Sequence, residues 1–155
     1  MSKFQSTKLF DGYSCVFRQW KAEGTHCKYL HGYGVSFRVW FEGVLDERNW
    51  VWDFGGMKRA KNTIDGMNPK AWMDWMFDHT FLVAQDDPAL EKFLIMHNEG
   101  IAQVRVLEAV GAEQFAKFLH DKLNPFIEKE TEGRVWVSKV EFREHDRNTA
   151  IYQPS

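Results

Sequence analysis

The chain has 155 residues, 44% hydrophobic and 27% charged, which suits one domain with its own apolar core and excludes a disordered segment. Twenty Lys and Arg against 22 Asp and Glu leave a formal net charge of -2, so no whole-protein field favours nucleic acid. No stretch resembles a membrane span or a signal peptide, and two cysteines make no disulfide scaffold, so a single cytoplasmic domain with neither nucleic-acid nor membrane partners is expected.

Leu9 to Ala22, "LFDGYSCVFRQWKA", carries β-branched and aromatic residues and reads as a strand. "VSFRVWFEG", Val35 to Gly43, alternates Val35, Phe37, Val39 and Phe41 against Ser36, Arg38, Trp40 and Glu42, the pattern of a half-buried strand ended by glycine. The two suggest an antiparallel hairpin whose long connection contains "GTHCKYLHGYG". Asp53 is an N-cap for a helix with Met57, Ala60 and Ile64 at helical spacing, although Gly55 and Gly56 weaken its first turn. Asn68 and Pro69 start a second short helix bearing Trp72, Trp75 and Met76. A third helix runs from about Pro88 to Asn98, closed by Gly100, and "AQVRVLE" reads as a short strand. "GAEQFAKFLHDKLNPF" is amphipathic on Phe115, Phe118, Leu119 and Leu123. "GRVWVSKVEFRE" alternates as a strand, and "NTAIY" is the last strand. The order predicts an α+β domain with an antiparallel sheet covered by helices on one face. The other face, and an aromatic content of 15% with seven Trp, point to a subunit interface.

Several residues stand out chemically. Cys27 lies between His26 and Lys28, with His31 four residues on; nearby cations favour a thiolate, and a half-buried free thiol is the plainer reading. His31 and Tyr33 share one side of an extended segment, but Tyr breaks the two-histidine start of a zinc site. Asp78-His79 falls at a helix end, where a carboxylate can fix an imidazole tautomer. Glu113 opens a helix, where an acid suits the positive helix end; Glu144 lies near the last strands, and either carboxylate can also grip a guanidine-like ligand edge. His97, His120 and His145 have no evident partner and are expected at the surface.

In order, these residues resemble the 6-pyruvoyltetrahydropterin synthase family, including the bacterial 6-carboxytetrahydropterin synthases. Cys27-Lys28-Tyr29-Leu30-His31-Gly32-Tyr33 resembles the family's Cys-x-x-x-His-Gly-His. "DFGGMK" from Asp53, "FDHTFL" from Phe77, "VGAE" ending at Glu113, and Glu144-His145 followed by "DRNTAIY" resemble four further family segments, and together they span Tyr13 to Tyr152. The resemblance implies a tunnelling fold: two helices on one face of a four-stranded antiparallel sheet, with an inserted helical segment at about 86–108. It further implies subunits assembled into a barrel as a trimer or hexamer, with active sites between them. It implies 7,8-dihydroneopterin triphosphate as substrate, triphosphate elimination with side-chain proton transfers, and in the bacterial branch a 6-carboxy product on the path to 7-deazaguanine compounds such as queuosine. Cys27, Asp78 and His79 would be the proton-transfer groups, Glu144 and Glu113 would hold the pterin, and Lys21, Lys28 and Arg18 lie near enough in sequence to meet phosphates. The family cofactor is zinc on three histidines. Here only His31 is retained: Tyr33 replaces one ligand, and Arg18 or Gln19 stands at the first-strand position. A pterin- or purine-binding relative with metal-free chemistry, or a non-catalytic oligomeric binding protein, is the alternative.

Overall fold

The computed structural model describes residues 2–155. Six strands form one sheet: β1 (Phe4–Phe17), β2 (His31–Gly43), β3 (Thr80–Ala84), β4 (Val104–Leu107), β5 (Val135–His145) and β6 (Asn148–Tyr152), in spatial order β4-β3-β1-β2-β5-β6. The helices are α1 (Gly56–Arg59), α2 (Pro69–Phe77), α3 (Leu90–Asn98) and α4 (Ala112–Glu130). The expected four-stranded antiparallel unit is β1, β2, β5 and β6. It is extended by two strands, because β3 and β4 pair in parallel beside β1. Among the described residues no helix is long and apolar enough to cross a membrane.

Alternation in β2 works as the pattern predicts. Val35, Phe37, Val39 and Phe41 are each no more than 2% exposed, while Ser36, Arg38, Trp40 and Glu42 lie half-buried on the far face. The inward side chains meet α2 and α4 in one core. Phe37 packs 5.5 Å from Phe10, Tyr13 and Phe77, and Phe142 lies 5.2 Å from Phe115. Each such ring removes enough apolar area from water to contribute about 1.5–3 kcal/mol. A bulge between Phe10 and Tyr13, with Gly12 at φ 82°, lets both aromatics face inward although they are three residues apart.

The structure corrects several boundaries. The first strand begins at Phe4 rather than Leu9 and ends at Phe17, leaving Arg18 to Ala22 outside it. The helix expected through Ile64 is a single turn, as the paired glycines forewarn; Ile64 instead forms a bridge with Met67. Asp53 still serves this turn, its side chain accepting from the Gly55 amide at 2.8 Å. Asn68 caps α2 as expected, accepting from the Ala71 amide at 2.8 Å. Trp75, however, does not join Trp72 and Met76 in the core: it is 45% exposed, with the Arg105 guanidinium 4.0 Å above its ring.

The segment 86–108 is more than a helix. With β3 it makes a strand–helix–strand unit, so one such unit stands beside an otherwise antiparallel sheet. Phe81 and Val83 meet Phe93 and Val104 in a second cluster, while Leu82 belongs to the main core. Since neighbouring strand residues face opposite ways, α3 covers the face opposite α2 and α4. All five residues of β3 are therefore buried, as parallel strands covered on both faces require.

Candidate functional site

The sheet, one helix start and one loop converge where β1 ends. Phe17 pairs with His31, and Cys15 with Tyr33, so the last four residues of "GTHCKYLHGYG", from His31, are strand rather than loop. Tyr33 lies in register with the inward row of β2 and stacks on Phe17 at 4.2 Å; Phe17 meets Phe115 edge-on at 5.0 Å. These rings are the floor of the site. His31 stands edge-on to Tyr33 at 4.8 Å. Burial raises the Tyr33 phenol pKa above its ordinary value, followed by the negative charge or ionisable groups of Glu144, Cys27 and Cys15. Tyr33 pairs with Cys15 on β1 and lies within electrostatic reach of Glu144 on β5 and Cys27 in the intervening loop.

Cys27 lies in a one-turn 3-10 helix, His26–Lys28. Its amide donates to the Thr25 hydroxyl at 3.2 Å, and its carbonyl accepts from the Gln19 amide at 2.8 Å. The backbone is therefore held on both sides while the thiol is exposed and carries no hydrogen bond. Cys15 differs: it is buried, and burial with the nearby Asp78 charge pushes its thiol up to about 12. It stays a neutral core residue at any ordinary pH.

The N-terminus of α4 borders the same end of the sheet. Gly111 precedes it at φ 119°, a conformation open to glycine, and a Cβ there would come 3.3 Å from the Gln19 side chain. Glu113 lies exposed in the first turn of α4. Glu113 and Glu144 carry no hydrogen bond or ion pair among the described residues, nor do the His31 ring and the Tyr33 hydroxyl. A candidate site is defined by such uncommitted polar groups gathered over an aromatic floor.

Asp78 and His79 form their own pair. His79 Nδ1 lies 3.0 Å from Asp78 Oδ1, and that carboxylate accepts from the Ser14 amide at 3.3 Å. His79 takes the left-handed φ of 57°, a costly conformation outside glycine, and its amide donates to the Ser14 carbonyl at 2.5 Å. This turn delivers β3 to the edge of β1. The imidazole itself is 78% exposed, and no hydrogen bond or ion pair joins the couple to Cys27, His31, Tyr33 or Glu144. Within one chain the predicted residues therefore form two groups rather than one.

The basic residues suggested for phosphates are engaged elsewhere. Arg18 makes a two-pronged contact with the buried Asp87, at 2.9 and 2.6 Å. Lys21 pairs with Asp86 at 3.0 Å, and Lys28 lies 3.9 Å from Glu23. The three histidines expected at the surface all have partners. His120 is 8% exposed and its Nε2 lies 3.0 Å from the Val137 carbonyl oxygen; His97 Nδ1 accepts from the Val104 amide, and His145 Nδ1 from the Arg147 amide.

The three-histidine zinc site implied by the resemblance does not fit these residues. Arg18 is locked to Asp87, Gln19 packs on Gly111, and Tyr33 offers a phenol held in its protonated form. No group of three or more His, Cys, Asp or Glu that would hold a metal occurs among the described residues.

One feature had escaped the sequence reading. An open cleft of about 590 Å³ lies at the carboxyl ends of β1, β3 and β4, lined in part by Gln19, Trp20, Gln85, Asp86, Glu108 and Gln114. Carboxyl ends of parallel strands are where sheets of this kind place ligands. Its warning in the sequence was the apolar run Phe81 to Ala84 before Gln85 and the short β-branched stretch "VRVL" before Glu108.

Among solved structures, an uncharacterised protein of Wolinella succinogenes superposes with a TM-score of 0.80 at 21% identity over the whole of both chains. The Caenorhabditis elegans 6-pyruvoyl tetrahydropterin synthase gives 0.65 at 16% identity, covering 100% of this chain and 98% of that one. The Plasmodium vivax 6-pyruvoyltetrahydropterin synthase gives 0.61 at 14%, covering 97% and 98%. No individually curated protein matches in sequence. The family model for 6-pyruvoyl tetrahydropterin synthase matches residues 7–155. With nearly its whole length matched, the chain belongs to the 6-pyruvoyl tetrahydropterin synthase family.

Proposed function

We propose that this protein is a carbon-oxygen lyase acting on 7,8-dihydroneopterin triphosphate or a close pterin analogue. The observation that carries the reading is the convergence of Cys27, His31, Tyr33 and Glu144 at one end of the sheet in a member of that family. Glu144, half-buried and without a partner, takes the two N-H donors of a pterin edge in a charge-assisted contact. Glu113 stands at the start of α4 beside the same end of the sheet. Cys27, its backbone pinned and its Sγ free, acts as the thiolate and takes a carbon-bound proton from the substrate side chain, becoming the thiol. The adjacent C-O bond breaks, the triphosphate leaves with the bonding pair, and the enol formed takes up a proton on carbon.

Asp78 and His79 complete the proton relay from a neighbouring subunit. The Phe4 to Tyr13 edge of β1 and the outer edge of β6 have no partner strand among the described residues. The strand directions alternate from β1 through β2 and β5 to β6, so one protomer's β6 meets the next protomer's β1 antiparallel. This head-to-tail contact closes into a ring such as a trimer, or a hexamer of two trimers. It brings the turn after Glu144 toward the end of β1 where Asp78 and His79 sit.

The test is incubation of the purified protein with 7,8-dihydroneopterin triphosphate, with triphosphate release and pterin product both measured. Turnover that falls at least about 100-fold in Cys27→Ala supports the reading. Absence of turnover together with tight pterin binding favours the alternative, a pterin- or purine-binding relative. The metal-ligand mismatch is the observation behind that second reading. Whether the product carries a pyruvoyl or a 6-carboxy group is read from its mass.

A further inference from the structure

We infer that the site works without a metal, and that the Tyr33 hydroxyl is the hydrogen-bond donor that stabilises charge on the substrate's side-chain oxygen. The inference rests on the pterin reading above and adds a catalytic residue to it.

Three positions have to be explained together. Arg18 does not face an open coordination sphere, because both arms of its guanidinium are taken by Asp87. Asp87 also accepts from the Ala89 amide at 2.8 Å, so the pair anchors the segment that leads into α3. Gln19 is held by its own amide on the Cys27 carbonyl, with its side chain against Gly111. The end of β1 is thus used to fasten the added strand–helix–strand unit and the Cys27 loop. Of the replaced positions, Tyr33 alone stands over the aromatic floor beside His31, whereas the Gln19 side chain lies against Gly111.

Its surroundings suit a neutral donor. The ring is clamped between Phe17 at 4.2 Å and His31 at 4.8 Å, so the hydroxyl is presented in a fixed direction. Among the described residues no group accepts from that hydroxyl. Glu144 and Cys27 lie within its electrostatic reach. A base and a ring anchor placed around a fixed donor are the parts that enolisation needs. Elimination leaves an enol. As its carbon takes the proton back from the Cys27 thiol, its O-H proton passes to water; negative charge grows on the side-chain oxygen in that step, and a preoriented O-H stabilises it. Tyr33 keeps its own proton throughout. A half-buried phenol on an aromatic floor is hard to ionise, so it remains a donor across the working pH range. His31, edge-on to the ring, orients it rather than ligating.

The deciding experiment compares the parent protein, Tyr33→Phe and Tyr33→His. Each is dialysed against a chelator and assayed for metal content and for turnover of 7,8-dihydroneopterin triphosphate. Calorimetry then measures binding of 7,8-dihydroneopterin and of pterin, which has the ring without the side chain. The inference expects the chelator-treated parent to keep its turnover. Tyr33→Phe, which removes one oxygen atom, should lower kcat about 100-fold with KM within about threefold. It should weaken 7,8-dihydroneopterin by no more than about threefold and leave pterin unchanged, and Tyr33→His should not recover kcat by binding zinc. Tyr33→Phe that turns over like the parent overturns the inference while the pterin reading stands. So does a parent that loses activity to chelator and regains it with zinc. A parent that binds neither pterin nor 7,8-dihydroneopterin overturns the pterin reading itself, and this inference with it.

Discussion

At the carboxyl end of β1 two polar groups begin within a few residues of each other and differ in every respect that matters. Arg18 and Asp87 form a closed pair: the carboxylate is 2% exposed in its side chain, the guanidinium binds it through two nitrogens, and the remaining acceptor capacity serves a backbone amide. His31, Tyr33, Cys27 and Glu144 form an open group, exposed or half-buried, whose side chains have no hydrogen-bond partner among the described residues. The closed pair is mechanical: it ties β1 to the turn before α3. The open group costs nothing to leave unpaired only because water, or a ligand, reaches it. A polar cluster's function is better read from what its atoms do not bond than from its residue types.

The largest expected effect removes the floor under the open group. Phe115 is fully buried and packs against Phe17, Phe77 and Phe142. Phe115→Ala should destabilise the protein by about 3–5 kcal/mol in urea unfolding and disturb the open group above it. If stability holds, that floor is not part of the core. Next comes the open group alone: Cys27→Ser should cut turnover of 7,8-dihydroneopterin triphosphate by about 100-fold or more, with unfolding midpoints unchanged within about 0.5 kcal/mol. A loss of stability equal to the loss of activity would erase the distinction.

The closed pair should behave in reverse. Asp87→Ala leaves Arg18 without its partner and should cost about 2–3 kcal/mol, with turnover per folded molecule largely kept. Burial raises the Asp87 carboxyl pKa, but the Arg18 contact and the Ala89 amide outweigh it and hold the group below its ordinary value. A folded pKa below the unfolded value means stabilisation that is complete at neutral pH and is lost as the pH falls from about 4 through the folded value. Asp87→Asn should therefore flatten the acid limb of stability against pH; an unchanged limb would assign that limb to other carboxylates. Smallest is the rim: Lys21 and Asp86, 70% and 49% exposed in their side chains, form a surface pair. Lys21→Ala should change unfolding free energy by less than about 0.5 kcal/mol, and a larger change would show that the pair supports Arg18 and Asp87.

How much was legible can be traced residue by residue. The alternation from Val35 to Phe41, the cap at Asn68 with Pro69 behind it, and the amphipathic run from Phe115 to Leu123 each state their element locally, and each is found. "TFLVA" was missed as a strand because a fully buried parallel strand has no alternation to display. The start of β1, "FQST", is mostly polar and gains its place by pairing with Trp40 to Gly43 on β2. His120 is buried because its ring reaches the Val137 carbonyl and packs 5.1 Å from Tyr152, contacts that a helix pattern cannot announce.

By itself the sequence determined the residue types available, the local elements and the ordered segments that mark the family, since periodicity, capping and motif order are properties of neighbours along the chain. Only the tertiary structure decided which groups are spent and which are free. Arg18 and Asp87 are 69 residues apart, and the Glu144 charge reaches Tyr33 from the neighbouring strand; whether each side chain finds a partner is a matter of distance in space, to which chain order is blind.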